Sequence, residues 1–87
     1  MPTYLVDREL PGVTKEQLAE AQKKVVETCQ QFSSQGKAVR LIRSTFLPSA
    51  SRCMCMFEAP SAEVTREVNE AAQVPFKTIS EALDSTP

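Results

Sequence analysis

The chain has 87 residues and a net charge of −1, with 41% apolar and 24% charged residues. This size predicts one domain over residues 1–87, and the absence of excess positive charge argues against nucleic-acid binding, which needs a basic surface. No apolar run approaches the roughly 18 residues of a membrane span, so we expect neither a membrane helix nor a signal peptide.

The first half of the chain predicts a strand followed by a helix. Residues 3–10 predict a strand that ends at a proline–glycine turn signal. Tyr4, Val6 and Arg8 fall on one side of this strand, and Leu5, Asp7 and Glu9 fall on the other. Thr14, with Gln17 three residues later, forms a capping-box pattern that predicts the start of a helix. Apolar residues then recur at spacings of three and four, and the helix is expected to end at 33–36, where a glycine suits the left-handed C-terminal position.

The second half predicts two strands, a shorter helix and a last strand. Residues 37–47 are rich in β-branched and large apolar side chains, and the short turn after them makes the next strand, 52–60, antiparallel. Ser61 is a good N-cap for the second helix, which a Val-Pro pair interrupts. Residues 76–83 predict the last strand and 84–87 a frayed tail.

This βαββαβ order predicts an α+β fold, the ferredoxin-like sandwich, with a four-stranded antiparallel sheet and two helices on one face. The third strand is apolar on both sides: Cys53, Cys55 and Phe57 share one face, and Met54 and Met56 share the other. The helices can cover only one of these faces. Met54 and Met56 are therefore predicted to lie at a homodimer contact or against an apolar ligand, the alternative being two exposed methionines.

Polar residues on the central strands form a candidate ligand-binding site. Charges on a central strand are costly to bury without partners. We therefore expect Arg8 and Glu58 to face each other on the open side of the sheet. Tyr4, Glu9 and Arg43 are the further candidates for this pocket, and solvated charges at the sheet rim are the alternative. The chain has no histidine and no recognisable catalytic motif, and we predict no cofactor.

The cysteines are expected to be buried, reduced thiols. Their odd number and their lack of framework spacing are typical of a cytoplasmic protein. The Cys-Met-Cys-Met run at 53–56 has the ligand types that soft metals prefer, but its two thiols are expected to face a helix, away from both methionines. The third strand also lacks the aromatics with which RNA-recognition domains stack bases, so we predict no RNA binding.

Residues 4–12, Tyr-Leu-Val-Asp-Arg-Glu-Leu-Pro-Gly, resemble the start of a family of small bacterial proteins, mostly of unknown function, that has a nickel-binding or nickel-responsive branch. Segments 44–46 with 55–60, and 79–81, are similar to it as well. The resemblance implies a ferredoxin-like fold and a homodimer. Family members often carry a histidine in the second helix after an Arg-Glu pair, whereas here 66–69 read Arg-Glu-Val-Asn. Because nickel favours imidazole, this departure argues against metal binding.

Three functions follow from these patterns. The leading hypothesis is a cytoplasmic, homodimeric protein that binds or senses a small molecule, with the open sheet face as its dimer contact. The first alternative is an enzyme of the dimeric α+β-barrel type, a small isomerase or cofactor-free oxygenase, that uses Arg8, Glu9 or Glu58 in a cavity between sheet and helices. The second is a metal-binding protein that uses carboxylates and Cys55. The sequence leaves enzyme and binding protein both open.

Overall fold

The chain folds in the predicted order βαββαβ. The computed structural model describes residues 1–83, so the predicted frayed tail over 84–87 lies outside the described residues. The strands are β1 (Thr3–Glu9), β2 (Arg40–Leu47), β3 (Arg52–Glu58) and β4 (Thr78–Ala82), and the helices are α1 (Lys15–Ser34) and α2 (Ala62–Ala71). The predicted ferredoxin-like topology is confirmed.

The four strands form one antiparallel sheet in the order β2-β3-β1-β4. The first and third strands are therefore central. Val6 of β1 lies opposite Cys55 of β3 on one side and Ile79 of β4 on the other. Because strand side chains alternate between faces, these three share the face that packs against the helices.

Side-chain caps set the starts of both helices. The Thr14 hydroxyl accepts a hydrogen bond from the Gln17 N–H at 3.1 Å, and the Gln17 side chain accepts one from the Thr14 N–H at 3.0 Å. The predicted capping box is thus present. The Ser61 hydroxyl accepts from the Val64 N–H at 3.2 Å and caps α2. After α1, Gly36 has a φ of 89°, a left-handed conformation that glycine adopts without strain.

Strand β2 begins three residues later than the predicted 37–47. The reason is local hydrogen bonding to the end of α1. The Lys37 N–H donates to the Phe32 carbonyl at 2.9 Å, and the Val39 N–H donates to the Ser33 hydroxyl at 3.2 Å. These bonds fold residues 37–39 against the helix end and keep them out of the sheet.

The hydrophobic core lies between the sheet and the two helices. Its central members are fully buried: Val6 and Phe57 from the sheet and Val68 from α2. Cys29 and Val25 of α1 complete the layer. Within residues 1–83, no helix is both long enough and apolar enough to cross a membrane.

Candidate functional site

The two sides of the sheet differ sharply in burial. We call the side that packs against α1 and α2 the helix face and the other side the open face. On β3, Cys53, Cys55 and Phe57 point to the helix face and are at most 3% exposed. Met54 and Met56 point to the open face and are half-buried. The predicted division of the third strand between two faces is therefore observed.

Arg8 lies on the helix face, contrary to the sequence-based expectation. It is 1% exposed and lies opposite Cys53, whereas Glu58 lies opposite Thr3 at the other end of the same strand pair. The predicted pairing of Arg8 with Glu58 on the open face is wrong, because the two side chains lie at opposite ends and on opposite faces. Tyr4 is also buried on the helix face.

The Arg8 guanidinium is held by neutral oxygen atoms. It donates to the Asn69 side-chain oxygen and to the carbonyls of Val74 at 3.3 Å and Pro75 at 3.4 Å. The Asn69 amide nitrogen in turn donates to the Thr65 carbonyl at 2.7 Å, which directs the amide oxygen toward the arginine. Among the residues that the structure describes, Arg8 has no carboxylate within ion-pair distance. A buried cation is thus stabilised by dipoles alone.

Asn69 and Thr65 were not among the sequence candidates, although both are fully buried on α2. The signal that could have found them is their spacing. They share the stripe of the helix that carries Val68 and Ala72, at intervals of three and four residues. Polar residues on an otherwise apolar stripe indicate a buried polar partner, which here is Arg8.

A small cavity separates Arg8 from α1. It is lined by apolar residues together with Arg8, Gln22, Ser44, Cys53 and Cys55, and its volume of about 10 Å³ is enough for about one water molecule. The sulfurs of Cys53 and Cys55 are 3.8 Å apart, and the Ser44 hydroxyl donates to the Cys55 sulfur at 3.2 Å. Burial, together with the neighbouring Cys55 thiol, raises the pKa of Cys53 to about 12, while the charge of Arg8 opposes this rise.

Burial also affects Cys29. It raises the pKa of this thiol to about 11, and a backbone hydrogen bond with Leu41 opposes the rise. Cys29, Cys53 and Cys55 are all buried and unpaired, as predicted. At neutral pH, Cys29 and Cys53 are therefore neutral thiols with little nucleophilic character.

Ion pairs border the open face. They are Arg52–Asp7, Lys77–Glu9 at 2.9 Å and Arg40–Glu58 at 3.4 Å. The hydrogen bond with Asp7 raises the pKa of the Arg52 guanidinium. Glu9 and Glu58 thus each have a cationic partner, at opposite ends of the central strand pair. The structure does not bring these two candidates together in one site.

Apolar side chains fill the centre of the open face. Met56 lies opposite Leu5 on one neighbouring strand and opposite Arg43 on the other. A recess of about 400 Å³ is lined by Met56, Ile42, Arg43, Thr3 and the end of β4. Of the predicted ligand-binding residues, Arg43 therefore lines this recess, and Tyr4, Arg8, Glu9 and Glu58 do not.

Comparison with known proteins assigns the family. A sequence pattern described as "Nickel responsive protein SCO4226-like" matches residues 4–82. The chain belongs to this nickel-responsive, SCO4226-like family. A family member, SCO4226 from Streptomyces coelicolor A3(2), has a crystal structure that matches with a TM-score of 0.83 and 22% sequence identity, over 97% of this chain and 99% of that one. At this identity the structural match shows the shared fold alone. No match was found among curated proteins.

The donor atoms of the present chain do not fit a nickel site within one copy of the protein. The sequence has no histidine, the nitrogen ligand that nickel favours. Within residues 1–83, no group of three or more histidine, cysteine, aspartate or glutamate side chains is close enough to hold one metal ion. Cys55 lies on the helix face, whereas Glu58 and Asp7 lie on the open face, so the predicted combination of carboxylates with Cys55 is not assembled.

Proposed function

We propose that this protein is a homodimeric binding or sensing protein whose open face is covered by a second copy of the chain. The observation that carries this proposal is the apolar centre of that face, formed by Met54, Met56 and Leu5 and left half-buried by the chain itself. An apolar centre inside a polar rim is the usual anatomy of a protein interface.

The charges at the rim support contact between identical faces. In a two-fold dimer the same patch meets itself, so an unbalanced charge would meet a like charge. Here Asp7 is paired with Arg52, and Glu58 with Arg40, within the chain. These pairs are therefore close to neutral and do not oppose the approach of two copies, which leaves Arg43 as the open-face cation without a carboxylate partner among the described residues.

The recess beside Arg43 supports a small-molecule ligand on the same face. Its volume of about 400 Å³ falls in the range of about 300–1,000 Å³ that is typical of ligand pockets. Met56 and Ile42 provide an apolar wall, and Arg43 has no carboxylate within ion-pair distance among the residues described. We propose that the ligand is small and carries an anionic group, which Arg43 binds.

The geometry favours binding over catalysis. The enzyme alternative needs a substrate cavity between sheet and helices, where Arg8 would act. The cavity at that place has a volume of about 10 Å³, which holds one water and no organic substrate. Arg8 also donates to Asn69 and to the carbonyls of Val74 and Pro75, so these bonds serve the fold.

The description of the family as nickel-responsive raises the question of whether this chain binds nickel. Since the donors of one chain do not fit nickel, we propose that this member does not hold Ni²⁺ in a site of its own. Calorimetric titration of the purified protein with Ni²⁺ is expected to show no stoichiometric binding. A site of one Ni²⁺ per chain would instead place this protein among metal-binding members of the family.

Sedimentation velocity tests the dimer. We expect the unmodified protein to sediment as a dimer and Met56→Lys as a folded monomer, because the lysine charge would be buried at the contact. Val26→Lys is the matched control: Val26 is an apolar residue of α1, 41% exposed on the helical side. It should sediment as the unmodified protein does. A dimer that tolerates lysine at both Met54 and Met56 would contradict the proposed contact.

Native mass spectrometry of protein purified from its own host tests the ligand. We expect a retained small anion in the unmodified protein and its loss in Arg43→Gln, which keeps a polar side chain but removes its charge. Arg66→Gln, on the exposed side of α2, is the control and should retain the ligand. Equal retention by both variants would exclude Arg43 as the anchor.

A further inference from the structure

We propose that Cys53 and Cys55 form a buried site for one copper(I) ion, bound as a dithiolate next to Arg8. Thiolates are soft ligands that favour copper(I), zinc and iron–sulfur clusters, and the charge of the site decides among them. The site goes beyond the proposed binding function, since it lies on the helix face and uses none of the residues of the open face.

The spacing of the two sulfurs suits a single bridging ion. Cys53 and Cys55 are two residues apart on β3 and share one face, which brings their sulfurs to 3.8 Å. An ion about 2.3 Å from each sulfur spans at most roughly 4.6 Å between them. The thiols therefore need to separate by less than about 1 Å, and the small cavity beside them provides the space.

Charge selects a monovalent ion. Two thiolates and one copper(I) carry a net charge of −1, and Arg8, buried with only neutral partners, carries +1. The occupied site is thus neutral overall, and the arginine gains the counter-charge that it lacks among the described residues. A divalent ion such as Ni²⁺ or Zn²⁺ would leave an uncompensated positive charge in the core, which is costly.

The same geometry argues against a disulfide. Two residues along a strand place the Cα atoms about 6.7 Å apart, at the upper end of the range of about 4.4–6.8 Å for disulfides. A Cys53–Cys55 disulfide is also uncharged, so it would leave Arg8 without an anionic partner. Metal binding uses the pair of thiols without this strain.

Binding exchanges protons for metal. Each thiol loses its proton to solvent as its sulfur bonds to copper(I), so that one copper(I) and two thiols give one anionic complex and two free protons, with no change of oxidation state. Apparent affinity is therefore expected to rise with pH. The Ser44 hydroxyl, which donates to the Cys55 sulfur at 3.2 Å, would continue to donate to the thiolate.

Competition against the chromophoric copper(I) chelator bathocuproine disulfonate, under anaerobic reducing conditions, tests the site. We expect the full chain to take up one copper(I) and both Cys53→Ala and Cys55→Ala to lose it.

Cys29→Ala is the thiol control and should bind normally. The double substitution Met54→Leu with Met56→Leu is the thioether control and should also bind normally. Ser44→Ala should weaken binding by about 10–100-fold, the usual cost of a lost supporting hydrogen bond. No uptake by the unmodified chain, or unchanged uptake by Cys53→Ala, would overturn the assignment.

Thiol protection in the unmodified protein keeps the test valid even if a cysteine variant does not fold. The protein, with and without one equivalent of copper(I), is alkylated in mild denaturant and digested with trypsin. Cleavage after lysine and arginine puts both proposed ligands in peptide 53–66 and Cys29 in peptide 25–37. We expect copper(I) to protect peptide 53–66 alone. Equal alkylation of peptide 53–66 with and without copper(I) would contradict the site.

Discussion

The two faces of the sheet are built from the same strands, but the chain buries the side chains of one face far more completely than those of the other. On the helix face, Cys53 and Phe57 are at most 1% exposed, and the buried polar groups find partners on α2. On the open face, Met54 and Met56 alternate with them along β3 and stay half-buried. The comparison teaches that one chain supplies a core for one face only. The other face needs an additional layer to remove its apolar area from water.

Two arginines make the same contrast for charge. Arg8 on the helix face is 1% exposed and bound by Asn69 and main-chain carbonyls. Arg40, at the rim of the open face, has a side chain that is 67% exposed and pairs with Glu58 at 3.4 Å. Removing the Asn69 partner of Arg8 is therefore expected to lower the free energy of unfolding far more than removing the exposed Arg40–Glu58 pair.

The largest expected effect comes from truncating the core of the helix face. Phe57→Ala should lower the free energy of unfolding by about 3–5 kcal/mol, because the residue is fully buried and leaves a cavity. Urea denaturation measures this loss. Met56→Ala is the open-face counterpart, and at low protein concentration it should cost less than half as much. Equal losses at both positions would mean that the two faces are equally complete in the monomer.

The next effect concerns the partner of Arg8. Asn69→Ala should cost about 1.5–3 kcal/mol, since it removes a hydrogen bond to a buried charged group. Glu70→Ala, an exposed neighbour on α2, is the control and should change stability by less than about 0.5 kcal/mol. Thermal and urea unfolding measure this loss. If Asn69→Ala left the stability unchanged, the carbonyls of Val74 and Pro75 would be enough to stabilise the buried Arg8 charge.

Burial of the thiols predicts a loss of stability at alkaline pH. Cys29 has a pKa of about 11 in the folded protein against an ordinary value of 9.0. The contribution of the neutral Cys29 thiol to the free energy of unfolding is complete below pH 9.0. It is lost as pH rises toward 11, because this thiol ionises first in the unfolded chain. The free energy of unfolding falls by at most about 1.4 kcal/mol per pH unit for each thiol. Cys29→Ala should flatten the urea-derived profile between these pH values, and an unchanged slope would exclude the raised pKa.

The smallest expected effect is at the rim of the open face. Arg40→Ala removes the exposed pair with Glu58 and should cost only about 0.2–1 kcal/mol, with the difference shrinking as salt is added. Urea denaturation at two ionic strengths measures both features. A loss as large as that of Asn69→Ala would mean that the rim charge is covered from solvent and helps to hold the dimer.

Much of the fold could be predicted because its signals are local. The capping box at Thr14 and Gln17, and the two-sided apolar pattern of the third strand, each depend on residues that are close in sequence. The predicted division of Cys53 and Met54 between opposite faces was observed for the same reason.

The candidate site was harder to predict because its partners are distant in sequence. Alternation put Arg8 on one side with Tyr4 and Val6, but which side packs against the helices depends on the whole fold. The expectation that a charge avoids burial placed it on the open face. Asn69, 61 residues away, provides the buried oxygen that makes the observed position tolerable. No pattern near Arg8 in the sequence could have indicated this partner.

The most direct test of the proposed dimer contact at the open face is the rate at which peroxide oxidises its methionines. Met1 is 63% exposed and is the internal reference, and trypsin separates it from Met54 and Met56 in peptides 1–8 and 53–66. At high protein concentration we expect Met54 and Met56 to oxidise much more slowly than Met1, and dilution should speed their oxidation as the dimer dissociates. Oxidation of all three at similar rates at every concentration would contradict a covered face.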